Sequence, residues 1–385
     1  MGDWWATAAS RPYRRTAAWS SRRDRWMRNS LGGAVNREIL NEAYERIHHA
    51  GPEWGADQLT NHGPMAVEVL VRRGHATDVP AWVDAYVRRL DDLPTARGEI
   101  TDETWRSALG DGRRIGDWTA YLTWQVEERP WRDVLVTWWP RLLPGIVAGT
   151  THGVIRVSHA VRALLAGGAG PAAVTELAHG LAFWAARARA VPGATAPTGK
   201  LDPAAALDAV PRIPEQRGTV ATRLGQLQQL ADWPGAVAAL RPPADPEDAR
   251  ARLTDLVDAA TVRYLAHGHA SPVLLVHAAT APNAALHTLP ALPRELWAPS
   301  LSAIWAASAA IVSGYAPGPA APRADLPGAP DGPDGAHEVL ERAVAHGDEH
   351  VIKFTDTAAE VYTRTGNPDA LAAARHVGNL IRPVN

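Results

Sequence analysis

Apolar residues recur at steps of three and four along almost the whole of this 385-residue chain. Ile39, Leu40, Ala43, Tyr44 and Ile47 show the pattern, which places them on one face of a helix. Period-two alternation is scarce, and no Asn-Gly or Asp-Gly pair separates two β-branched runs as it would in a hairpin. The chain is therefore predicted to be all-α. Further helices are expected over residues 64–74, 80–91, 115–128, 131–143, 146–166, 172–190, 218–231, 246–267, 272–287, 299–314, 336–346, 348–364 and 368–381.

Two stretches rich in proline and glycine interrupt the helical pattern. Residues 191–217 form the first, and residues 316–335 form the second, which holds six prolines and four glycines and cannot sustain a helix. Histidine-bearing segments lie on both sides of the second stretch, so we interpret it as a long surface loop within one domain. The predicted organisation is a single large helical domain over residues 34–385, preceded by a basic, disordered extension over residues 1–33.

The composition argues against several classes of protein. A formal net charge of −2 disfavours binding to duplex nucleic acid, which needs a basic surface to displace counterions. The absence of cysteine rules out disulfides, thiolate–zinc sites, iron–sulfur clusters and cysteine nucleophiles, and it fits the cytoplasm. No segment approaches the ~20 uninterrupted apolar residues of a membrane span. We therefore expect a cytoplasmic protein that binds a small molecule, with no nucleic-acid or membrane partner.

The common nucleotide and hydrolase motifs are missing. The chain has no Walker A sequence, no Gly-x-Ser-x-Gly elbow and no His-Glu-x-x-His pair. The nearest approach to a dinucleotide fingerprint is GGAG at residues 167–170, which follows a helix and is interpreted as a helix end and turn. A built-in site for NADPH or a flavin therefore has no support from a motif, and any reductant is expected to be external or bound in a different way.

Histidines in helical segments are the strongest candidates for chemistry. His62 opens a helix that has Pro64 in its first turn, where a lone histidine is usually a cap or a surface residue. His152 and His159 are seven residues apart and share a helix face, with Arg156 between them. Two interpretations of these three residues stay open, a ligand pocket and a set of hydrogen-bonded core residues.

Two further histidines lie in apolar surroundings. His277 is the single histidine of an apolar segment, where burial of its imidazole requires a hydrogen-bond partner or a metal. His350 and Lys353 are three residues apart, so a helix presents both to the same point. Among the 39 lysine and arginine residues, only Lys200 and Lys353 are lysine. A lysine at position 353 is therefore notable in a chain that otherwise uses arginine for positive charge. The ordinary alternative for Lys353 is an ion pair with Asp348, Glu349 or Asp356.

Several stretches of the chain resemble the questin oxidase-like family, namely NHGPMAVEVLVRRG, RPWRDVLVTWWPRLLPGIVAGTTHGVIRVSHAVRAL, ELAHGLAFWAA, LLVHAATAPNAALHTLP and HGDEHVIKFTDTAAEVY. The resemblance extends from about residue 37 to residue 380. It implies a helical oxidoreductase whose fungal relatives act on hydroxylated anthraquinones, as Baeyer–Villiger-type oxidases or as ring-opening dioxygenases. In a dioxygenase member, four histidines and a carboxylated lysine hold a non-haem iron.

Matching the motifs of this family to the sequence implies a metal site. The implied metal ligands are His62, His152, His277, His350 and Lys353. The resemblance implies that Arg156 and His159 lie in the same pocket as catalytic groups, which contact the substrate or support a ligand. The chain departs from the fungal pattern around residues 63–65 and in the loops, so the resemblance does not specify the substrate.

The chemistry of this ligand set suits iron. Four neutral imidazoles suit Fe²⁺, and a fifth, anionic oxygen ligand lowers the net charge and leaves one octahedral position for O2 or substrate. A protonated lysine cannot bind a metal. However, burial beside a cation lowers the lysine pKa from about 10.4, and the neutral amine can take up CO2 to form a carbamate. Arginine cannot replace Lys353 in this role, because its guanidinium stays protonated.

Three functions are compatible with the sequence. The first is an iron-dependent oxygenase that uses O2 as co-substrate on an aromatic polyketide or anthraquinone, held by stacking in an interior with 16 tryptophans. The second is an NADPH-assisted Baeyer–Villiger-type oxidase without a bound metal. The third is a non-catalytic helical protein whose histidines hydrogen-bond an aromatic ligand.

Overall fold

The computed structural model describes residues 17–167 and 170–384, with side chains from residue 33 onward. Its helices are α1 (Ala17–His48), α2 (Gly63–Arg72), α3 (Val79–Val87), α4 (Trp105–Ala108), α5 (Ile115–Glu128), α6 (Trp131–Leu142), α7 (His152–Leu165), α8 (Pro171–Ala186), α9 (Pro203–Asp208), α10 (Val220–Gly225), α11 (Trp233–Ala238), α12 (Pro246–His267), α13 (Pro272–Leu275), α14 (His277–Thr288), α15 (Trp297–Tyr315), α16 (Gly335–His346), α17 (Glu349–Thr365) and α18 (Pro368–Leu380). Strands β1 (Glu53–Trp54) and β2 (Leu59–Thr60) pair antiparallel. The all-α prediction is confirmed.

The longer helices lie close to where the periodicity predicts them, and the differences have simple physical causes. Residues 115–128 and 246–267 are helical over the predicted ranges. The predicted helix over 272–287 is interrupted at Val276, so a new helix, α14, begins at His277. Helices α4, α9 and α11 and both strands were not predicted, because elements of two to six residues are too short to show a period.

Tryptophan fills much of the core of the described residues. The six fully buried indoles are Trp118, Trp138, Trp139, Trp184, Trp233 and Trp305. The Trp138 ring meets the rings of Trp105 and Trp118 edge to face, with centroids 5.2 and 5.5 Å apart. Edge-to-face contact is a favoured geometry for aromatic pairs. The large apolar volume of this chain is therefore used mainly for packing between helices.

One segment of the described residues, Arg294–Tyr315, is long and apolar enough to cross a membrane. It comprises α15 and the turn that precedes it. Within its most apolar window, 72% of the residues are buried inside the protein, and the Trp305 indole donates a hydrogen bond to the Val237 carbonyl. This burial is typical of a core helix.

The structure bears on two predicted features of the chain, the N-terminal extension and the proline-rich stretch 316–335. Residues 1–16 of the predicted extension lie outside the described residues, and the predicted boundary at 33 and 34 falls within α1, which begins at Ala17. The proline-rich stretch 316–335 does join elements of one domain, because α17 and α18 after it pack against α12 and α14 before it.

Candidate metal centre

Four helices converge with their amino ends at one point, and each brings a histidine there. His62 directly precedes α2, His152 and His277 are the first residues of α7 and α14, and His350 is the second residue of α17. The four helices pack against one another in the pairs α2–α7, α7–α14, α14–α17 and α17–α2. A histidine at the first turn of each helix therefore projects towards a shared centre.

The chain turns sharply before α7. Gly149, Thr150 and Thr151 all have positive φ, at 51°, 58° and 70°. Two consecutive threonines in the left-handed region cost about 1–3 kcal/mol each, and such strain is retained mainly where the surrounding structure holds it. Glycine is required at 149, because a Cβ there would lie 2.8 Å from the Phe183 ring. This turn places His152 at the convergence point.

Three of the four imidazoles meet through their Nε2 atoms. The Nε2 atom of His152 lies 2.7 Å from that of His62 and 2.7 Å from that of His277. The His350 ring centroid lies 4.4 Å from that of His62 and 5.9 Å from that of His277. One ligand atom from each of the four rings falls within 4.8 Å of all the others. The structure thus brings together the four histidines that the sequence singled out.

The Nδ1 atoms of His152 and His277, on the side of each ring away from the Nε2 contacts, show why this cluster suits a cation. The Nδ1 atom of His152 faces the Gly149 carbonyl, and that of His277 lies 3.2 Å from the Leu274 carbonyl. A carbonyl only accepts hydrogen bonds, so both Nδ1 atoms carry the proton and both Nε2 atoms present a lone pair. Two lone pairs at 2.7 Å repel each other unless a cation lies between them. Neutral imidazoles with carbonyl-bonded Nδ1 atoms are the usual state of metal-binding histidine.

Burial keeps these rings neutral. The pKa values of His62, His152 and His277 are lowered well below the ordinary value of 6.5, mainly because burial penalises the imidazolium. The positive charge of Lys353 lowers them further. The partial positive charge at each helix amino end acts in the same direction. Metal binding to these rings at neutral pH therefore needs no deprotonation.

Lys353 lies on α17 one turn after His350, and 3% of its surface is exposed. Burial lowers its pKa to about 7, although the negative charges of Glu349 and Asp348 oppose the shift. Within the described residues, no carboxylate comes within 4.0 Å of its amine. The carboxylate of Asp356, one turn further along α17, instead binds Arg72, Arg73 and Arg162. Lys353 is thus a buried amine whose ammonium form loses its proton more readily than that of an exposed lysine.

Arg156 and His159 lie on α7 but point to other partners. The Arg156 guanidinium donates two hydrogen bonds to the Glu176 carboxylate, at 2.5 and 2.9 Å. The His159 ring lies 2.8 Å from a carboxylate oxygen of Glu68. The structure therefore does not bring these two side chains to the histidine cluster, and a catalytic role for them stays a prediction.

Two carboxylates beside the cluster were not singled out as part of the site from the sequence. The Glu349 carboxylate lies 3.6 Å from Nδ1 of His62, and the Asp348 carboxylate lies 3.4 Å from Nδ1 of His350. Asp348 also caps α17 by accepting the backbone N–H of His350 at 2.8 Å. The only sequence signal for these contacts is the position of both residues immediately before His350.

A cavity of about 630 Å3 has the histidine cluster in its wall. The β1–β2 hairpin lines one part through Trp54 and Leu59, and the start of α10 lines another through Val220 and Ala221. Trp54 is the single tryptophan among the lining residues that the structure describes, because the other tryptophans whose side chains are described pack elsewhere. The stacking expected from a tryptophan-rich interior is therefore limited to one ring.

A family model described as questin oxidase-like matches residues 81–357, the greater part of the chain. The matched region contains His152, His277, His350 and Lys353, whereas His62 lies before it. No curated protein matches the chain.

Proposed function

Because the chain belongs to the questin oxidase-like family, we propose that this oxidoreductase is an iron-dependent oxygenase of an aromatic polyketide or anthraquinone-type substrate. O2 is the co-substrate and the cytoplasm the expected location. The observation that carries the proposal is the approach of the Nε2 atoms of His62 and His277 to within 2.7 Å of Nε2 of His152, where the Nε2 atoms of His152 and His277 present lone pairs. Four buried imidazoles, three of them with pKa values lowered by burial, form a donor set that suits Fe²⁺.

The roles of the ligands follow from their positions. His62, His152, His277 and His350 would hold the iron, and Lys353 would supply a fifth, anionic oxygen. When bound, iron supplies the change of oxidation state that lets O2 react with an organic molecule. The amine of Lys353 becomes a carbamate by adding to CO2, which forms one N–C bond and releases one proton. A pKa of about 7 leaves enough neutral amine for this addition near neutral pH.

The cavity supports the rest of the proposal. Its volume of about 630 Å3 is within the range of small-molecule sites, and it reaches the cluster directly. The ring of Trp54 and the side chains of Leu59, Val220 and Leu274 offer apolar contacts to a flat substrate. The four histidines, Asp348 and Glu349 line the same cavity, so the oxidisable part of a bound substrate would lie next to the centre. The walls thus bind and orient the substrate, and the cluster performs the oxidation.

Metal analysis of protein purified under anaerobic conditions tests the proposal. We expect about one iron per chain, and O2 uptake with polyhydroxylated quinones that depends on this iron. Protein that oxidises such quinones with NADPH and no metal would instead support the metal-free oxidase. Protein that binds them without turnover would support a carrier, and either result would overturn the proposal.

A further inference from the structure

The four histidines differ in the groups that lie next to their Nδ1 atoms. Backbone carbonyls accept hydrogen bonds from Nδ1 of His152 and His277. Nδ1 of His62 and Nδ1 of His350 have no hydrogen-bond partner among the described residues, but each lies near a carboxylate, at 3.6 and 3.4 Å. Glu349, which faces His62, is only 5% exposed. A carboxylate behind a metal-binding imidazole makes the ring a stronger donor than a carbonyl does and fixes the proton on Nδ1. One pair of ligands is therefore supported by charge and the other pair only by dipoles.

Glu349 is held in place from its far side. Its second oxygen accepts a hydrogen bond of 2.8 Å from the Arg89 guanidinium. That guanidinium lies 4.0 Å from the ring centroid of Tyr86 and 5.2 Å from that of Trp54. The Tyr86 hydroxyl in turn accepts the backbone N–H of His62 at 2.6 Å. The carboxylate and the imidazole that it faces are thus anchored to the same small group of side chains.

The charges at the centre explain why an anion is needed there. Four helix amino ends carry partial positive charge towards the cluster, and a divalent cation would add two further charges. Glu349 and Asp348 are the carboxylates that the described residues place within 4.0 Å of the four rings. Asp348 accepts two backbone N–H groups as the cap of α17, whereas the contacts of the Glu349 carboxylate are with His62 and Arg89.

We propose that Glu349 is a positioning residue that holds His62 with its proton on Nδ1 and strengthens its Nε2 as a metal donor. Asp348 acts in the same way on His350. This inference rests on the proposed metal centre, but it assigns a role to residues that contact the imidazoles and not the metal.

Titration with Co²⁺ tests the inference without any substrate. In Glu349→Gln, we expect the affinity for Co²⁺ to fall 10–100-fold and the visible absorption bands of the bound ion to shift, because the donor strength of His62 changes. Glu53→Gln is the matched control: Glu53 lines the same cavity but pairs with Arg187, and it should leave both readouts unchanged. Thermal unfolding of the metal-free proteins checks that each variant is folded before titration.

A second variant covers the chance that Glu349→Gln fails to fold with Arg89 left unpaired. Arg89→Met combined with Glu349→Leu removes both charges together, which a folded protein tolerates better than a single unpaired charge. We expect the same loss of Co²⁺ affinity and the same spectral shift. Wild-type affinity and spectrum in the folded variant would overturn the inference and leave the metal centre standing. Failure of wild type to bind Co²⁺ would overturn the metal centre and the inference with it.

Discussion

The Nε2 atoms of His62 and His152 lie 2.7 Å apart, although 90 positions separate the two residues in the chain. Each stands at the amino end of its helix, and the two helices pack side by side. The Nδ1 atoms of the two rings face away from this contact, towards the Glu349 carboxylate and the Gly149 carbonyl. The packing of the helices therefore brings the donor nitrogens together.

Removal of any one ligand histidine should empty the metal centre. We expect at least a tenfold loss of bound iron and of activity in each of His62→Ala, His152→Ala, His277→Ala and His350→Ala. His75→Ala and His376→Ala serve as controls, because both residues are similarly buried but lie outside the cluster. Metal content per chain is the measurement. Full metal loading in any two of the four variants would show that the ligand assignment is wrong.

Lys353→Arg should abolish activity and lower the affinity for iron, because a guanidinium cannot take up CO2. The matched control is Lys200→Arg at the other lysine of the chain, which is exposed and should tolerate the change. Carbon-13 NMR after addition of labelled bicarbonate should show one carbamate signal in wild type and none in Lys353→Arg. The same signal in both proteins, or full activity of Lys353→Arg, would exclude the carbamate.

Arg156→Leu should destabilise the protein by about 3–5 kcal/mol, because it leaves the buried Glu176 carboxylate without its main partner. Burial alone would raise the pKa of Glu176, and Arg156 is the largest influence that holds it down, to about 2. Denaturant unfolding measures the loss, and Arg113→Leu at an exposed position is the control. If Arg156→Leu keeps full stability but loses turnover, the residue has the catalytic role expected from the sequence.

Ala221→Trp should obstruct the cavity where the start of α10 lines it. We expect kcat/KM for a quinone substrate to fall at least tenfold while iron content stays the same, because the change is remote from the ligands. Ala251→Trp, on an exposed face of α12, is the control and should be neutral. Unchanged kcat/KM in Ala221→Trp would mean that substrate enters by another route.

The metal-free protein should lose stability as the pH falls below about 6.5. The unfolded chain takes up protons at His62, His152 and His277 in this range, whereas burial keeps the folded rings neutral. Each such histidine contributes up to about 1.4 kcal/mol per pH unit to the free energy of unfolding. Denaturant unfolding between pH 7.5 and 5 measures the slope. His277→Leu should reduce it and His337→Leu, at an exposed position, should not; equal slopes in both variants would contradict the assignment.

The local pattern of apolar residues was enough to predict much of the helical framework. The three- and four-residue spacing of apolar side chains predicts the helices because it reports directly which face of each helix is buried. The four histidines of the cluster stood out for a similar reason, since each sits at a helix start or in an apolar run and matches a motif of the family. Lys353 stood out because arginine supplies almost every other positive charge in the chain.

The sequence by itself thus determined the all-α class, the single helical domain and the residues that were candidates for the centre. Only the tertiary structure decided that Arg156 binds Glu176, that Glu349 faces His62 and that most tryptophans pack away from the cavity. Periodicity shows which residues share a face of one helix. It does not show which residue of another helix meets that face, because such a contact depends on how distant segments pack in three dimensions.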